Sequence, residues 1–216
     1  MTLAILKSDN LVGMEIDAIA PTLPETDTAT VPALREIEAV FRAADATVKA
    51  AAESKELTAL GQREAVKKAL RVAVQELTPH QTVAERLAAT AAATRTQALQ
   101  SSTGERTLEV LMIEREVRDR LAGRDPLEVN AIYQGALSVG DLTTVNAIER
   151  APSAFALLTP AMLEQGAAVK LARSPLAEQL AAQEAEQRRY ASILATTRTQ
   201  LASLAARYGL DLSDVK

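Results

Sequence analysis

Near its C-terminus the chain carries a long stretch in which apolar and polar residues follow a heptad repeat. Between residues 174 and 208, one stripe advances in steps of four and three residues. This heptad stripe consists of Leu176, Leu180, Gln183, Gln187, Tyr190, Leu194, Thr197, Leu201, Leu204 and Tyr208. Such spacing predicts a long helix that packs along one face, and flanking alanines let a neighbouring helix come close.

The heptad stripe admits two kinds of packing. Within one chain it would contribute to a helical bundle, and between chains it would form a coiled coil. Its centre is polar, so Gln183, Gln187 and Thr197 either specify the register or face a different partner. We take Gln183, Gln187 and Tyr190 as candidate contact residues.

Upstream, apolar spacing predicts two more helices. The first runs from about Pro32 to Glu53 and keeps a heptad spacing of its own. A break at residues 54–61 precedes the second, whose apolar stripe consists of Val66, Leu70, Val74 and Leu77.

A third helix is predicted to begin at Pro79, with Thr78 as its N-cap. Its periodicity extends to Leu121, and Gly104 predicts a kink or a break on the way. Downstream, between residues 123 and 173, Gly and Pro interrupt the pattern and indicate a cluster of three short helices.

The pattern divides the chain into four segments: an extended acidic N-terminal arm (1–30), helices one to three including a long helix (31–122), the cluster of short helices (123–173), and the long C-terminal heptad helix with its tail (174–216). Together they predict an all-α fold. We expect a long antiparallel helical hairpin or bundle with the small cluster of short helices at its tip.

The N-terminal arm shows no sustained helical period. It holds one basic and five acidic side chains, which account for the whole net charge of −4. Its short apolar groups suggest docking on a partner, whereas a frayed terminus is the plainer interpretation. We take Leu3, Ile5 and Leu6 as candidate contact residues.

Composition narrows the class of protein. Hydrophobic residues make up 48% of the 216 residues but aromatic residues only 2%, which favours helices packed through Ala and Leu. The absence of Cys excludes disulfides and thiolate metal sites. The longest uncharged stretch, 151–163, is too short for a membrane span, so we expect a soluble protein without membrane partners.

Candidate chemistry is sparse. His80, the single histidine, stands beside Thr78 and Pro79 and is expected to be a surface or capping-turn residue. The acids Glu109, Glu114, Glu116 and Asp119 each have an Arg within helical reach, which predicts a solvated, ion-paired face. We expect no enzyme activity, no metal and no cofactor.

The strongest charged feature is a basic face on the second helix. Arg63, Lys67 and Arg71 recur every four residues, which places them on one side of a helix. This face suits a phosphate or an acidic partner, and it equally suits an ordinary solvated surface. The basic and acidic residues beyond residue 30 balance, so nucleic-acid binding is not expected.

The stretch from Glu114 to Leu158, with Gly140-Asp141 and the run Ala-Ile-Glu-Arg-Ala-Pro at 147–152, resembles small Ala-rich helical structural and assembly proteins of tailed bacteriophages and prophages. The resemblance implies a non-enzymatic virion component or assembly factor that acts through helix–helix contacts and its N-terminal arm. It would lie in the cytoplasm of a bacterial host or in a virion. Protein partners are expected, with a homo-oligomer or larger assembly. The alternative is a monomeric helical adaptor that binds a protein or an anionic ligand through the basic face.

Overall fold

The chain is all-α in a computed structural model, as predicted. The structure describes residues 11–20, 30–101, 107–151 and 158–215, and no strand occurs within these ranges. The helices are α1 (Leu11–Ile19), α2 (Thr30–Glu53), α3 (Ala59–Glu76), α4 (Thr78–Ser101), α5 (Leu108–Leu121), α6 (Pro126–Val139), α7 (Leu142–Glu149), α8 (Pro160–Arg173), α9 (Ala177–Arg207) and a short 3₁₀ helix (Leu212–Val215).

The chain forms two compact units. Unit 1 spans Met1–Ala89 and Gln183–Lys216, and unit 2 spans Thr90–Ala182. Helices α4 and α9 therefore each contribute residues to both units. The predicted short helices α6, α7 and α8 all belong to unit 2, together with α5.

Unit 1 is built around an aliphatic core. The predicted stripe of α2 is buried, and it meets the buried face of α3 and the heptad stripe of α9. Fully buried side chains in this core include Leu34, Ile37, Val48, Leu70, Ile193 and Leu201. Burying a Leu or Ile side chain contributes roughly 1.5–3 kcal/mol, so these positions fix the packing of the helices.

The N-terminal segment departs from the predicted extended arm, because Leu11–Ile19 forms α1. Val12 and Ile16 lie four residues apart, so they share one helix face and are buried in the core of unit 1. Hydroxyl groups of Ser192 and Thr196 donate hydrogen bonds to Glu15. The helix therefore docks on its own chain.

Helices α3 and α4 together form a bent helical stretch of 43 residues. The predicted N-cap role of Thr78 is wrong, because Thr78 is itself helical and its hydroxyl donates to the carbonyl of Val74 at 3.4 Å. Helical hydrogen bonds continue through Leu77, from its N–H to Ala73 and from Gln81 to its carbonyl. Pro79 has no N–H to donate to the preceding turn, which explains a bend rather than a new start.

The helices of unit 2 have clear caps. The side chains of Thr107, Asp125, Asp141 and Thr159 accept hydrogen bonds from backbone N–H groups at the starts of α5, α6, α7 and α8. The α6 helix ends at Gly140, whose φ of 77° lies in the left-handed region that glycine tolerates. Helix α4 ends at Ser101 and α5 begins at Leu108. The predicted kink or break at Gly104 falls between them, outside the described residues.

The core of unit 2 is smaller. It joins α5, α6 and α7 through Leu121, Val129, Tyr133, Leu137 and Ile148. A further buried cluster contains Ala98, Leu171 and Leu180. Across the described ranges, no helix combines the length and the apolar character needed to span a bilayer.

Candidate interaction surfaces

The basic face of α3 lies at the surface of unit 1. Arg63 and Arg71 are exposed and Lys67 is half-buried. Arg63 donates a hydrogen bond to the carbonyl of Gly209 at 3.3 Å, so it also holds the end of α9. Lys67 and Lys68 form no ion pair with any described residue. Two ammonium groups, that of Lys67 on this face and that of Lys68 beside it, therefore remain available to an anion.

A shallow groove separates α2 and α3 on the surface of unit 1, with a volume of about 480 Å³. We call it the α2–α3 groove. Small side chains line it on both sides, namely Ala43, Ala44 and Ala51 from α2 and Ala65, Ala69 and Ala73 from α3. Alanine-lined surfaces let helix backbones approach closely, so the shape suits another helix.

The α2–α3 groove and the basic face share one edge. Lys68 and Val72 of α3 line the groove and also line a neighbouring depression of about 520 Å³ that includes Lys67 and Arg71. Val72 is 44% exposed, which leaves an aliphatic side chain at the edge. An incoming helix would meet alanines below it and positive charge along α3. Glu76 supplies one acid at the end of the groove.

The predicted contact residues of α9 divide into two groups. Gln183 and Gln187 are half-buried, and the Oε1 atom of Gln183 is buried with no hydrogen-bond partner among the described residues. Tyr190 is only 5% exposed and lies in the core of unit 1, so its assignment as a contact residue is wrong. Its position on the heptad stripe points it inward.

His80 is the partner of that buried tyrosine. Its Nδ1 atom lies 2.9 Å from the hydroxyl of Tyr190, and the two rings are tilted with centroids 6.4 Å apart. Burial, together with the charge of Glu36, raises the pKa of Tyr190. His80 is therefore half-buried and links α4 to α9, and the sequence missed this because the two residues are 110 positions apart.

The apolar contact residues proposed for the arm, Leu3, Ile5 and Leu6, lie outside the described residues. The nearby acids that are described already have partners in their own chain. Glu15 accepts hydrogen bonds from α9, and Asp17 forms an ion pair with Arg35 of α2. These two acids therefore support the docking of α1.

Unit 2 contains a buried polar network that the sequence did not predict. The ammonium of Lys170 lies 2.5 Å from Glu149 and 3.4 Å from the side-chain oxygen of Asn146. The hydroxyl of Tyr133 donates to the other oxygen of Glu149 at 2.8 Å. Burial and this hydrogen bond raise the pKa of Tyr133. The network links α6, α7 and α8.

Gly166 of α8 lies directly over this network. A Cβ atom at this position would stand 1.7 Å from the hydroxyl oxygen of Tyr133 and 3.2 Å from Glu149. Only a glycine lets the two helices come this close without displacing Tyr133. The requirement is steric, because the backbone of Gly166 is helical.

A second buried charge belongs to Glu114 of α5. We predicted a solvated, ion-paired face there, and this is wrong for Glu114, whose side chain is 1% exposed. Arg150 contacts it at 2.6 Å and Arg118 at 3.6 Å. The prediction holds for Glu116, which is 71% exposed and pairs with Arg120 at 3.6 Å.

A cavity of about 300 Å³ also lies in unit 2. Leu137, Leu142 and Val169 give it apolar walls, and Lys170 and Arg173 border it. Both cations already have partners, because Lys170 pairs with Glu149 and Arg173 donates to the carbonyls of Leu137 and Ser138 at the end of α6. Both cations therefore stabilise the fold through contacts within the chain.

The exposed side of α5 carries four neighbouring apolar side chains, with Leu108 and Met112 at its centre and Leu111 and Ile113 at its two edges. Leu108, Leu111, Met112 and Ile113 are 76%, 37%, 64% and 42% exposed. We call these four residues the α5 ridge. Glu109 stands among them and forms no ion pair with any described residue. Contiguous exposed apolar side chains are typical of interaction sites.

The described residues contain no group of three or more His, Cys, Asp or Glu side chains that could hold a metal ion. Comparison of the chain with protein-family models, curated proteins and solved structures finds no match.

Proposed function

We propose that this protein is a non-enzymatic structural or assembly protein that acts through helix–helix contacts. The α2–α3 groove carries the proposal, because it is a surface groove lined largely by small side chains of two helices, of which Ala44, Ala69 and Ala73 are themselves buried. Helices with exposed apolar residues are the natural occupants of such grooves. The α5 ridge shows that this chain exposes such a helix.

The setting we propose is a virion component or assembly factor of a tailed bacteriophage or prophage. The support is the resemblance of the stretch from Glu114 to Leu158 and the Ala-rich helical composition. Its partners would be proteins, including further copies of the chain. The cytoplasm of a bacterial host, or a virion, is the corresponding location.

The buried charges are consistent with a structural role. Glu114, Glu149 and Lys170 each bond to side chains on other helices, so their charges hold helices together. Breaking a buried ion pair leaves one charge uncompensated, which is strongly destabilising. Such pairs therefore constrain how the helices pack. A rigid unit with a fixed outer surface suits repeated assembly.

Self-association is the direct test. Light scattering of the purified chain should give a mass that rises with concentration well above the 23.0 kDa of one chain. A variant lacking residues 1–10 retains α1 and should associate more weakly if Leu3, Ile5 and Leu6 make contacts. Strictly monomeric behaviour of the full chain at every concentration would contradict homomeric assembly.

A second candidate is a monomeric helical adaptor that binds an anionic partner through the basic face. The observation that favours it is the depression beside Lys67, Lys68 and Arg71, in which neither lysine has an ion pair with a described residue. Inorganic polyphosphate and poly-glutamate are suitable probes of the two chemistries.

The adaptor is tested by charge reversal. The double variant Lys67→Glu and Lys68→Glu should lose binding of either probe, while Lys55→Glu, an exposed lysine between α2 and α3, should retain it. Circular dichroism checks that the helices persist. Equal binding by both variants would show that the basic face does not bind these anions.

A further inference from the structure

The α2–α3 groove and the α5 ridge have complementary shapes. The groove is lined largely by alanines, and the ridge offers four large side chains that are 37–76% exposed. Small side chains opposite large ones allow helices to interlock at close distance. Each chain therefore carries both a groove lined by small side chains and a helix whose large side chains suit that groove.

The lengths also agree. Helix α5 has 14 residues and is about 21 Å long at 1.5 Å per residue. The lining of the groove runs along α2 from Val40 to Ala51, roughly 17 Å on the same rise. A helix the size of α5 would fill the groove from end to end.

The charges at the edges are of opposite sign. Lys68 stands where the groove meets the outer face of α3, and Glu109 stands beside Leu108 and Met112 on the ridge. Neither forms an ion pair with a described residue of its own chain. Complementary charges at the edge of an apolar contact select the partner and its orientation.

We propose that α5 of one copy docks in the α2–α3 groove of a second copy, with Glu109 set against the basic edge at Lys68. The inference rests on the proposed assembly function and specifies its contact. The two surfaces differ, so the contact is heterologous, and each copy offers a free groove and a free ridge to further copies.

Two variants separate the surfaces. Leu108→Glu with Met112→Glu disables the ridge, and Ala43→Trp blocks the groove. All three positions are exposed, so the fold should survive, as circular dichroism would verify. Each variant alone should associate at least about tenfold more weakly, because charge or bulk is forced into the contact.

Matched controls lie close by. Leu127→Glu places the same charge on another exposed leucine, 77% exposed, in unit 2. Ala46→Trp places the same ring on an exposed alanine of α2 that does not line the groove. Both controls should associate like the unmodified chain.

Mixing is the decisive measurement. A ridge variant and a groove variant in equal amounts should form a one-to-one dimer and nothing larger, because one copy keeps its groove and the other its ridge. Sedimentation velocity distinguishes the monomer from the one-to-one dimer.

Charge exchange adds a second test. Lys68→Glu and Glu109→Lys should each weaken association about two- to fivefold, and a chain carrying both changes should recover it.

The outcomes separate this contact from the assembly function itself. If the unmodified chain associates but the ridge and groove variants do so equally well, this contact is wrong and assembly stands. A mixture that stays monomeric, or that behaves like either variant alone, also contradicts it. If the unmodified chain is always monomeric, homomeric assembly fails and this contact fails with it.

Discussion

Units 1 and 2 hold their helices together with different side chains. In unit 1, aliphatic residues at helical spacing on α2, α3 and α9 meet in one core. Its buried charge, Glu38, pairs with Arg35 and Arg42 on its own helix. The core contacts between its helices are apolar, and partly exposed polar groups such as Glu15 and Asp17 add further links.

In unit 2, buried polar side chains connect helices in addition to the smaller apolar core. Glu114 reaches Arg150 at the end of α7, and Glu149 of α7 joins Lys170 of α8 and Tyr133 of α6. Each link joins residues that are far apart in sequence. Buried polar networks of this kind are sensitive to the loss of a single member.

The difference shows which features a periodic pattern reveals. The spacing of apolar residues identifies the buried face of a helix but not the helix that it packs against. For an aliphatic core, this is enough to predict which residues are buried. A buried ion pair depends on two residues whose meeting only the fold determines. The units should therefore respond differently to charge removal, and the following measurements test that difference.

Neutralising Glu114 should have the largest effect. Glu114→Gln leaves Arg150 beside a buried amide and should cost about 3–5 kcal/mol of unfolding free energy. Glu116→Gln, two residues on at an exposed position, should change it by less than about 0.5 kcal/mol. Urea denaturation followed by circular dichroism measures both, and equal effects would place Glu114 at the surface.

Cavity formation tests the apolar core of unit 1. Leu201→Ala removes a fully buried side chain of the heptad stripe and should cost about 2–5 kcal/mol. Leu60→Ala, at a position 72% exposed, is the control and should cost little. If Leu201→Ala lowers the free energy of unfolding as little as the Leu60 control does in urea denaturation, Leu201 is not closely packed in the core.

The close approach of α8 to Tyr133 predicts a steric effect. Gly166→Ala should destabilise the protein by about 1–3 kcal/mol, because its Cβ atom must displace the tyrosine hydroxyl. Gly135→Ala, where a Cβ atom meets nothing within 4 Å, should instead stabilise α6 by roughly 0.5–1 kcal/mol. Thermal unfolding of the two variants should shift in opposite directions.

The smallest expected effect concerns the buried tyrosines, one in each unit. Burial raises the pKa of both Tyr133 and Tyr190, so the folded chain keeps phenolic protons that the unfolded chain loses. Stability should therefore be unaffected below about pH 10 and fall as the pH rises further. Tyr133→Phe and Tyr190→Phe should each flatten this alkaline loss, and unchanged pH profiles would contradict the raised pKa values.

Much of the fold follows from the sequence. The stripe of α2, the heptad stripe of α9 and the three short helices α6, α7 and α8 are found where spacing and the interrupting Gly and Pro residues predict them. Helix α1 was missed because it is only nine residues long, although Val12, Ile16 and Ile19 have helical spacing. The Thr78 boundary was wrong because Pro79 bends a continuing helix as readily as it begins a new one.

The candidate surfaces were less predictable. The spacing of Arg63, Lys67 and Arg71 identified the basic face, but the adjoining groove depends on how α2 packs against α3. Likewise, the helical period that extends to Leu121 does not indicate that Ile113 is 42% exposed. Helix α5 turns Glu114 inward because Arg150 and Arg118 compensate its charge.

The two units thus expose different surfaces, a groove of small side chains on unit 1 and a ridge of large ones on unit 2. The central claim is that copies of this chain associate through such helix surfaces. Light scattering of the full chain over a wide concentration range tests it most directly. We predict a mass that rises well above 23.0 kDa, and a constant mass of one chain at every concentration would contradict the claim.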